Sequence, residues 1–182
     1  MKYLMLLADY FEDTEAIATM DVLLRGKDEV ITASLMDSLD IKTKCGGVYK
    51  ASIFIDQVSI DDCDALIIPG GPASFKLMPN MPIVSKLIHT FCKERKLVAA
   101  ICAAPHLIGK LGYFKDLNYT VHPGFETEII GGNYKRECGV VVENNFITAK
   151  SMYYSIEFGL AIHEYFHGKD SKAKLEKSCM GE

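Results

Sequence analysis

The 182 residues are 49% hydrophobic and 24% charged, with a formal net charge of -4. A chain of this size fits one domain, residues 1–182, able to bury a substantial core without disulfides or metals. The charge balance gives no electrostatic case for nucleic acid or an anionic membrane, which leaves a small molecule or another protein as the expected partner.

The chain opens MKYLMLLADYFED. The apolar stretch from Tyr3 to Ala8 is too short for a signal peptide and runs into Asp9, Glu12 and Asp13, so it reads as a buried strand. Glu15 to Arg25 follows with helical spacing, and Ile17, Met20 and Leu24 are expected on its buried stripe. Glu29 to Leu35 reads as a strand, then Ile41 to Cys45 and Tyr49 to Ile55 as a hairpin around Gly46-Gly47. Ala65 to Ile68 and Leu97 to Ile101 are further buried strands, with helices at Ile83 to Glu94 and Ala103 to Leu111. Val140 to Val142 and Phe146 to Ala149, turned at Glu143-Asn144-Asn145, form a late hairpin leading into a helix from Ser155 to His167. The closing KDSKAKLEKSCMGE, residues 169–182, reads as a short helix or a frayed end. Strands alternating with helices predict an α/β fold with a mainly parallel central sheet joined by right-handed crossovers. No run reaches the roughly 18 apolar residues of a membrane-spanning helix. The six cysteines lack paired spacing, and the expected location is the cytoplasm, with reduced thiols.

In open α/β sheets ligands sit beyond the carboxyl ends of the strands, so the informative residues are those that follow the three buried runs. These are Asp9 to Glu15, Pro69-Gly70-Gly71-Pro72, and Cys102-Ala103-Ala104. A cysteine at a strand-to-helix junction meets free backbone N–H groups and the positive end of a helix dipole, both of which favour thiolate. Ala103 and Gly71 could supply amides to an oxyanion. Viewed alone, Cys102 is either a nucleophile or a packing cysteine, and Glu15 either a proton donor or an acid that complements the dipole of its helix. If Glu15 points at Cys102, desolvation and the thiolate charge would raise its pKa, and an anionic sulfur beside a neutral acid suits addition to a carbonyl.

Glu15 followed by Asp21, Pro69-Gly70-Gly71, the Ala-Ile-Cys-Ala-Ala-Pro of residues 100–105, and His122-Pro123 together resemble the ThiJ/PfpI superfamily, in its branch of the parkinsonism-associated protein deglycase and bacterial YajL. The resemblance runs in order from about residue 1 to about residue 168. It implies a flavodoxin-like three-layer sandwich, usually a homodimer, without a cofactor. It further implies Cys102 as the reactive cysteine, Glu15 as its protonated partner, the amides of Gly71 and Ala103 as the oxyanion donors, and His122 as the nearby histidine. The superfamily is associated with glyoxalase activity, deglycation, chaperone-like behaviour and oxidant sensing, and by older usage with thiazole monophosphate in thiamine biosynthesis.

The chain also departs from that pattern. Where the branch has a Gly-Pro-Gly turn before the last helix, this sequence has Ser151-Met152-Tyr153-Tyr154, expected to narrow that side of the pocket. Ala103 stands where a protease-like branch has histidine, which argues against a peptidase. An amidotransferase elbow would need glycines at Ala100 and Ala104, and Gly70-Gly71 lacks the spacing of a phosphate loop. His163-Glu164-Tyr165-Phe166-His167 matches HExxH, but the segment lies away from the expected site without an evident third ligand, so it reads as an exposed histidine pair and no metal is assigned. His106 is expected on the helix facing away from the thiol, and Cys45 near a dimer contact or simply packed.

The expected activity is thus a cofactor-independent, cysteine-dependent reaction on a small reactive aldehyde or glycated substrate, such as conversion of methylglyoxal to lactate. Cys102, Glu15 and His122 would carry the chemistry, with Gly71 and Ala103 holding the oxyanion. The alternative is a redox sensor or chaperone-like protein in which Cys102 is oxidised to sulfinic acid.

Overall fold

The computed structural model describes residues 1–182. Along the chain run β1 (Lys2–Leu7), α1 (Asp13–Arg25), β2 (Glu29–Ser34), β3 (Asp40–Lys42), β4 (Val48–Lys50), β5 (Ile53–Phe54), β6 (Ala65–Ile68) and α2 (Pro82–Lys93). There follow β7 (Leu97–Ile101), α3 (Pro105–Gly109), β8 (Asn118–Tyr119), β9 (Asn133–Tyr134), β10 (Val140–Glu143), β11 (Phe146–Ala149), α4 (Ser155–His167) and α5 (Lys169–Met180). Seven strands make one sheet in the order β10-β11-β7-β6-β1-β2-β5, parallel throughout except for the β10–β11 hairpin. With helices on its faces, this is the flavodoxin-like sandwich.

The three central strands are covered on both sides, which requires apolar residues at every position rather than alternating ones. Tyr3 to Leu7, Ala65 to Ile68 and Leu97 to Ile101 are all buried. The winding reverses between β1 and β6, and the carboxyl ends of β1, β6 and β7 share one edge. No helix is long and apolar enough to cross a membrane, and all six cysteines are free thiols.

Three details differ from the sequence reading, and a fourth settles an open alternative. First, α1 turns Ala16, Thr19, Val22 and Leu23 inward, with Glu15, whereas Ile17 and Leu24 stay 44% and 48% exposed. The helix packs on α4 as well as on the sheet, and its first inward residue is a glutamate, so apolar spacing alone picks the wrong stripe. Second, the strand expected over Tyr49 to Ile55 is divided. β3 and β4 form their own ribbon, while Ser52 pairs with Thr32 through both backbone and hydroxyl, turning β5 onto the main sheet beside β2. Third, the helix expected from Ala103 is only the five-residue α3; Ala103 and Ala104 belong to the turn before it. Fourth, α5 is a formed helix, anchored by Leu175 against Val22 and Leu160.

Candidate active site

The loops that leave β1, β6 and β7 are stitched together by backbone and carboxylate hydrogen bonds. Glu12 N–H donates to Gly70 O at 3.2 Å, and the Glu12 carboxylate caps α1 by accepting the Glu15 N–H at 2.8 Å. Asp9 accepts from Lys42 N–H at 2.9 Å and Asp13 from Cys45 N–H at 3.0 Å, so these two acids hold the β3–β4 ribbon rather than entering the site. That ribbon brings Lys44 to the edge, where its ammonium stands 3.9 Å from Glu12 Oε1.

Cys102 follows β7 with φ of 64°, a left-handed conformation that an L residue adopts at a cost of about 1–2 kcal/mol. Two hydrogen bonds of 2.8 Å fix it there: Cys102 N–H to Ala149 O on β11, and His122 N–H to Cys102 O. The side chain enters the cleft beside Gly71 and Ala103, whose backbone N–H groups favour the ionised sulfur. Gly71 itself has φ of 79°, and a Cβ there would stand 2.5 Å from Glu12 N. At Gly70 a Cβ would stand 2.6 Å from Glu15 Oε2 and 2.7 Å from Cys102 Cβ. Only a glycine pair lets the β6 loop pass this close to both functional groups.

Glu15 is 1% exposed and its Oε2 accepts the Gly70 N–H at 2.9 Å, and it lines the same cleft as Cys102. Burial, aided by the Glu12 charge and opposed by the hydrogen bonds from Cys102 and Gly70, lifts its carboxyl to about 7. The sulfur departs from the expectation of a standing thiolate. Burial first, then the charge and hydrogen bond of Glu15, push the thiol up to about 12, against the pull of the Ala103 and Gly71 amides. The reason lies in the elbow: α3 is short and starts three residues beyond the cysteine, so its dipole does little, and desolvation prevails. Acid and thiol titrate as a pair in which Glu15 releases its proton first.

Cys102, Glu15, Gly71, Ala103 and His122 all line one cleft of about 370 Å³. His122 is exposed at its rim, with Nδ1 3.1 Å from Pro123 O and no hydrogen bond to the thiol or to Glu15. His106 turns away, its Nδ1 2.7 Å from Ala103 O, and Cys45 is exposed rather than packed. Glu12 and Lys44 also line the cleft, as do Phe75, Phe125 and Met152 as an apolar wall. Nothing in the local spacing marks Lys44, because only the folding back of the β3–β4 ribbon brings it there. Of the stretch expected to narrow the pocket, Ser151 and Met152 reach it, whereas Tyr153 is 82% exposed and Tyr154 packs on Gly139. A hollow of about 400 Å³ between α2 and α3 is slightly larger but holds neither an acid nor a thiol.

The fold and this edge together define a class: an α/β sandwich with a cysteine at a strained strand-to-helix turn and a buried glutamate from the first turn of α1 in the same cleft. The model of the DJ-1/PfpI family matches residues 1–165, and the chain belongs to that family. It is 31% identical over 167 residues to the glutathione-independent glyoxalase DJR-1.2 of Caenorhabditis elegans, covering 91% of this chain and 88% of that one. It is likewise 31% identical over 151 residues to a protein of Pyrococcus horikoshii named as a deglycase, covering 82% of this chain and 90% of the other. The crystal structure of Drosophila melanogaster DJ-1beta superposes with a TM-score of 0.92 at 28% identity, over 98% of this chain and 97% of that one. Against the DJ-1 homologues B and A of Arabidopsis thaliana the chain spans only 40% and 44% of their length.

Proposed function

We propose that the protein is a cofactor-independent enzyme acting on small reactive carbonyls, of which methylglyoxal is the test substrate. The observation that carries this reading is the buried Glu15 carboxyl, with a pKa of about 7, set against the Cys102 thiol in an open cleft. Near neutral pH Glu15 is part ionised and can act as base and then as acid. As Sγ adds to the aldehyde carbon, the thiol proton passes to Glu15 and from there to the carbonyl oxygen, giving a hemithioacetal. Developing charge on that oxygen is met by the N–H groups of Gly71 and Ala103. Glu15 then takes the hydrogen on C1 and returns it to C2, while the hydroxyl proton on the C1 oxygen moves to the C2 oxygen, which converts the hemithioacetal to a lactoyl thioester. Water hydrolyses the thioester to lactate and restores the thiol. The sum is methylglyoxal plus water to lactate, with no oxidant or reductant.

Once Glu15 holds the proton, the two influences it exerts on the sulfur vanish and only the stabilising amides remain beside the burial. The thiolate therefore belongs to the reaction rather than to the resting site. A phosphate ester such as thiazole monophosphate suits the cleft poorly, because its one cation, Lys44, is shared with Glu12 and faces two acids. The relatives named as glyoxalase and deglycase support the carbonyl reading. The test is methylglyoxal loss and lactate formation by wild type, Cys102→Ser and Glu15→Gln. Each substitution should lower kcat by at least about 100-fold while the protein stays folded. Turnover by Cys102→Ser at the wild-type rate would overturn the reading.

A further inference from the structure

Away from the cleft, the last turns of α4 bring His163 and His167 to Asp28, the residue before β2. Asp28 Oδ2 lies 3.2 Å from His163 Nδ1, and Oδ1 2.8 Å from His167 Nε2. The two imidazoles stack with centroids 4.3 Å apart, and one donor atom from each of the three residues lies within 4.8 Å of the others. Asp28 and His163 are buried, whereas the His167 side chain keeps 30% exposure, leaving a way in from solvent. The expectation of an exposed pair lacking a third ligand is thus corrected. Glu164, the acid of the HExxH pattern, turns outward to Lys172 at 2.8 Å and has no place in the cluster.

We propose that Asp28, His163 and His167 form a site for a divalent transition-metal ion of the zinc class, with a structural rather than a peptidase role. Two imidazoles and a carboxylate are ordinary zinc donors, and bonds of about 2.0–2.1 Å in tetrahedral geometry put neighbouring donor atoms about 3.3 Å apart. The two carboxylate–imidazole separations fall within about half an ångström of that spacing, on the two oxygens of Asp28, and the donor atoms of all three residues lie within 4.8 Å of one another, so an ion can replace the bridging protons once the imidazoles close on it. Each imidazole then carries its single proton on the other ring nitrogen. For His163 that is Nε2, which stands 2.8 Å from Ser171 Oγ and would donate to it. The surroundings hold the donors as outer partners of a metal site do. Tyr3 OH donates to Asp28 Oδ2 at 3.1 Å, and the Met1 α-ammonium is paired with Oδ1 at 2.9 Å, a contact that the ion would share. A Cβ at Gly26 would stand 2.6 Å from His163 Nδ1, so the turn after α1 admits the imidazole only because that residue is glycine. Donors from the start of β2 and from α4, with Ser171 on α5 behind them, mean that an ion here clamps α5 to the body of the sandwich.

The experiment is titration of the chelator-stripped full chain with Co²⁺, then displacement by Zn²⁺, followed by absorption and by melting temperature. One equivalent of Co²⁺ should bind with visible d–d bands and without the near-ultraviolet charge transfer of a thiolate ligand. Zn²⁺ should raise the melting temperature. His167→Gln, at the partly exposed position, should weaken binding by at least about 100-fold and abolish the melting shift, while melting like wild type in chelator. Cys102→Ser should bind as wild type does. Absence of binding, a thiolate-type spectrum, unaltered affinity in His167→Gln, or loss of binding in Cys102→Ser would each overturn the proposal.

Discussion

Two buried carboxylates, Glu15 at the strand ends and Asp28 beside α4, are moved in opposite directions by the same fold. The side chain of Asp28 is 1% exposed, and Glu15 is 1% exposed as a residue, so desolvation opposes the charge of both. Glu15 receives one backbone N–H, with the thiol and the Glu12 charge as neighbours, and is lifted to about 7. For Asp28 burial also pushes upward, but donors from Met1, His167, His163 and Tyr3 outweigh it and hold the carboxyl below its ordinary range. Burial thus leaves the sign open, and the number of donors aimed at the oxygens decides it. Glu15, short of donors, is kept protonatable near neutral pH, as the proposed proton transfer requires. Asp28 is saturated and serves cohesion.

The sharpest way to break this comparison is to remove each charge without changing shape. Glu15 has its folded pKa raised, so the ionised carboxyl weakens the fold progressively as pH climbs from about 4.5 through about 7. The penalty, on the order of 3 kcal/mol, is complete above about pH 8 and absent below about pH 4. Glu15→Gln should therefore melt roughly 6–12 °C higher than wild type at pH 9, with the gain shrinking to nothing in acid. Asp28→Asn should do the reverse at pH 7, losing on the order of 2–3 kcal/mol as four donors meet a neutral amide. Thermal melts of the two variants across pH check both signs. A shared direction would show that donor count does not govern these sites.

A second probe separates reactivity from turnover. If Glu15 is the base, kcat/KM for methylglyoxal falls about tenfold per pH unit below about 7, as its carboxylate is protonated. In Glu15→Gln the two upward influences of Glu15 on the thiol disappear, so its pKa drops even as catalysis is lost. Alkylation of Cys102 by iodoacetamide at pH 8, followed peptide by peptide, should then speed up several-fold, about tenfold for each unit that the pKa falls. The exposed Cys138 serves as internal control and should not change. Slower alkylation of Cys102 in that variant would mean that Glu15 stabilises the thiolate in the resting site.

Much of this was legible because buried parallel strands write themselves as unbroken apolar runs: β1, β6 and β7 are visible in the residues, and with them the three loops that meet at the edge. Proximity of Glu15 to Cys102 rested on that topology together with the resemblance. What stayed hidden depends on contacts distant in sequence. Lys44 reaches the cleft through the β3–β4 ribbon, and Asp28 meets His163 across 135 positions. The raised pKa of the thiol was equally hidden, since a strand-to-helix junction advertises a dipole but not the five-residue length of α3 or the depth of the sulfur. The stripe on α1 misled because the inward position at its first turn is occupied by a buried acid, Glu15, rather than by an apolar residue.

The smallest effect concerns the backbone that presents the sulfur. Cys102 is held at φ of 64°, where glycine rests without strain and any residue with a Cβ does not. Replacing it by alanine removes the thiol and keeps the strain. Replacing it by glycine removes both, at the cost of a more flexible unfolded chain, an entropy difference of roughly 0.4–1 kcal/mol. Relief of about 1–2 kcal/mol leaves Cys102→Gly more stable than Cys102→Ala by up to about 1.6 kcal/mol in urea unfolding, with m unchanged. Asp28, in ordinary backbone, offers the contrast: glycine there should be less stable than alanine by that same entropy. If glycine proves the weaker substitution at both positions, the elbow stores no strain, and the two hydrogen bonds that fix Cys102 are orienting a residue already at rest.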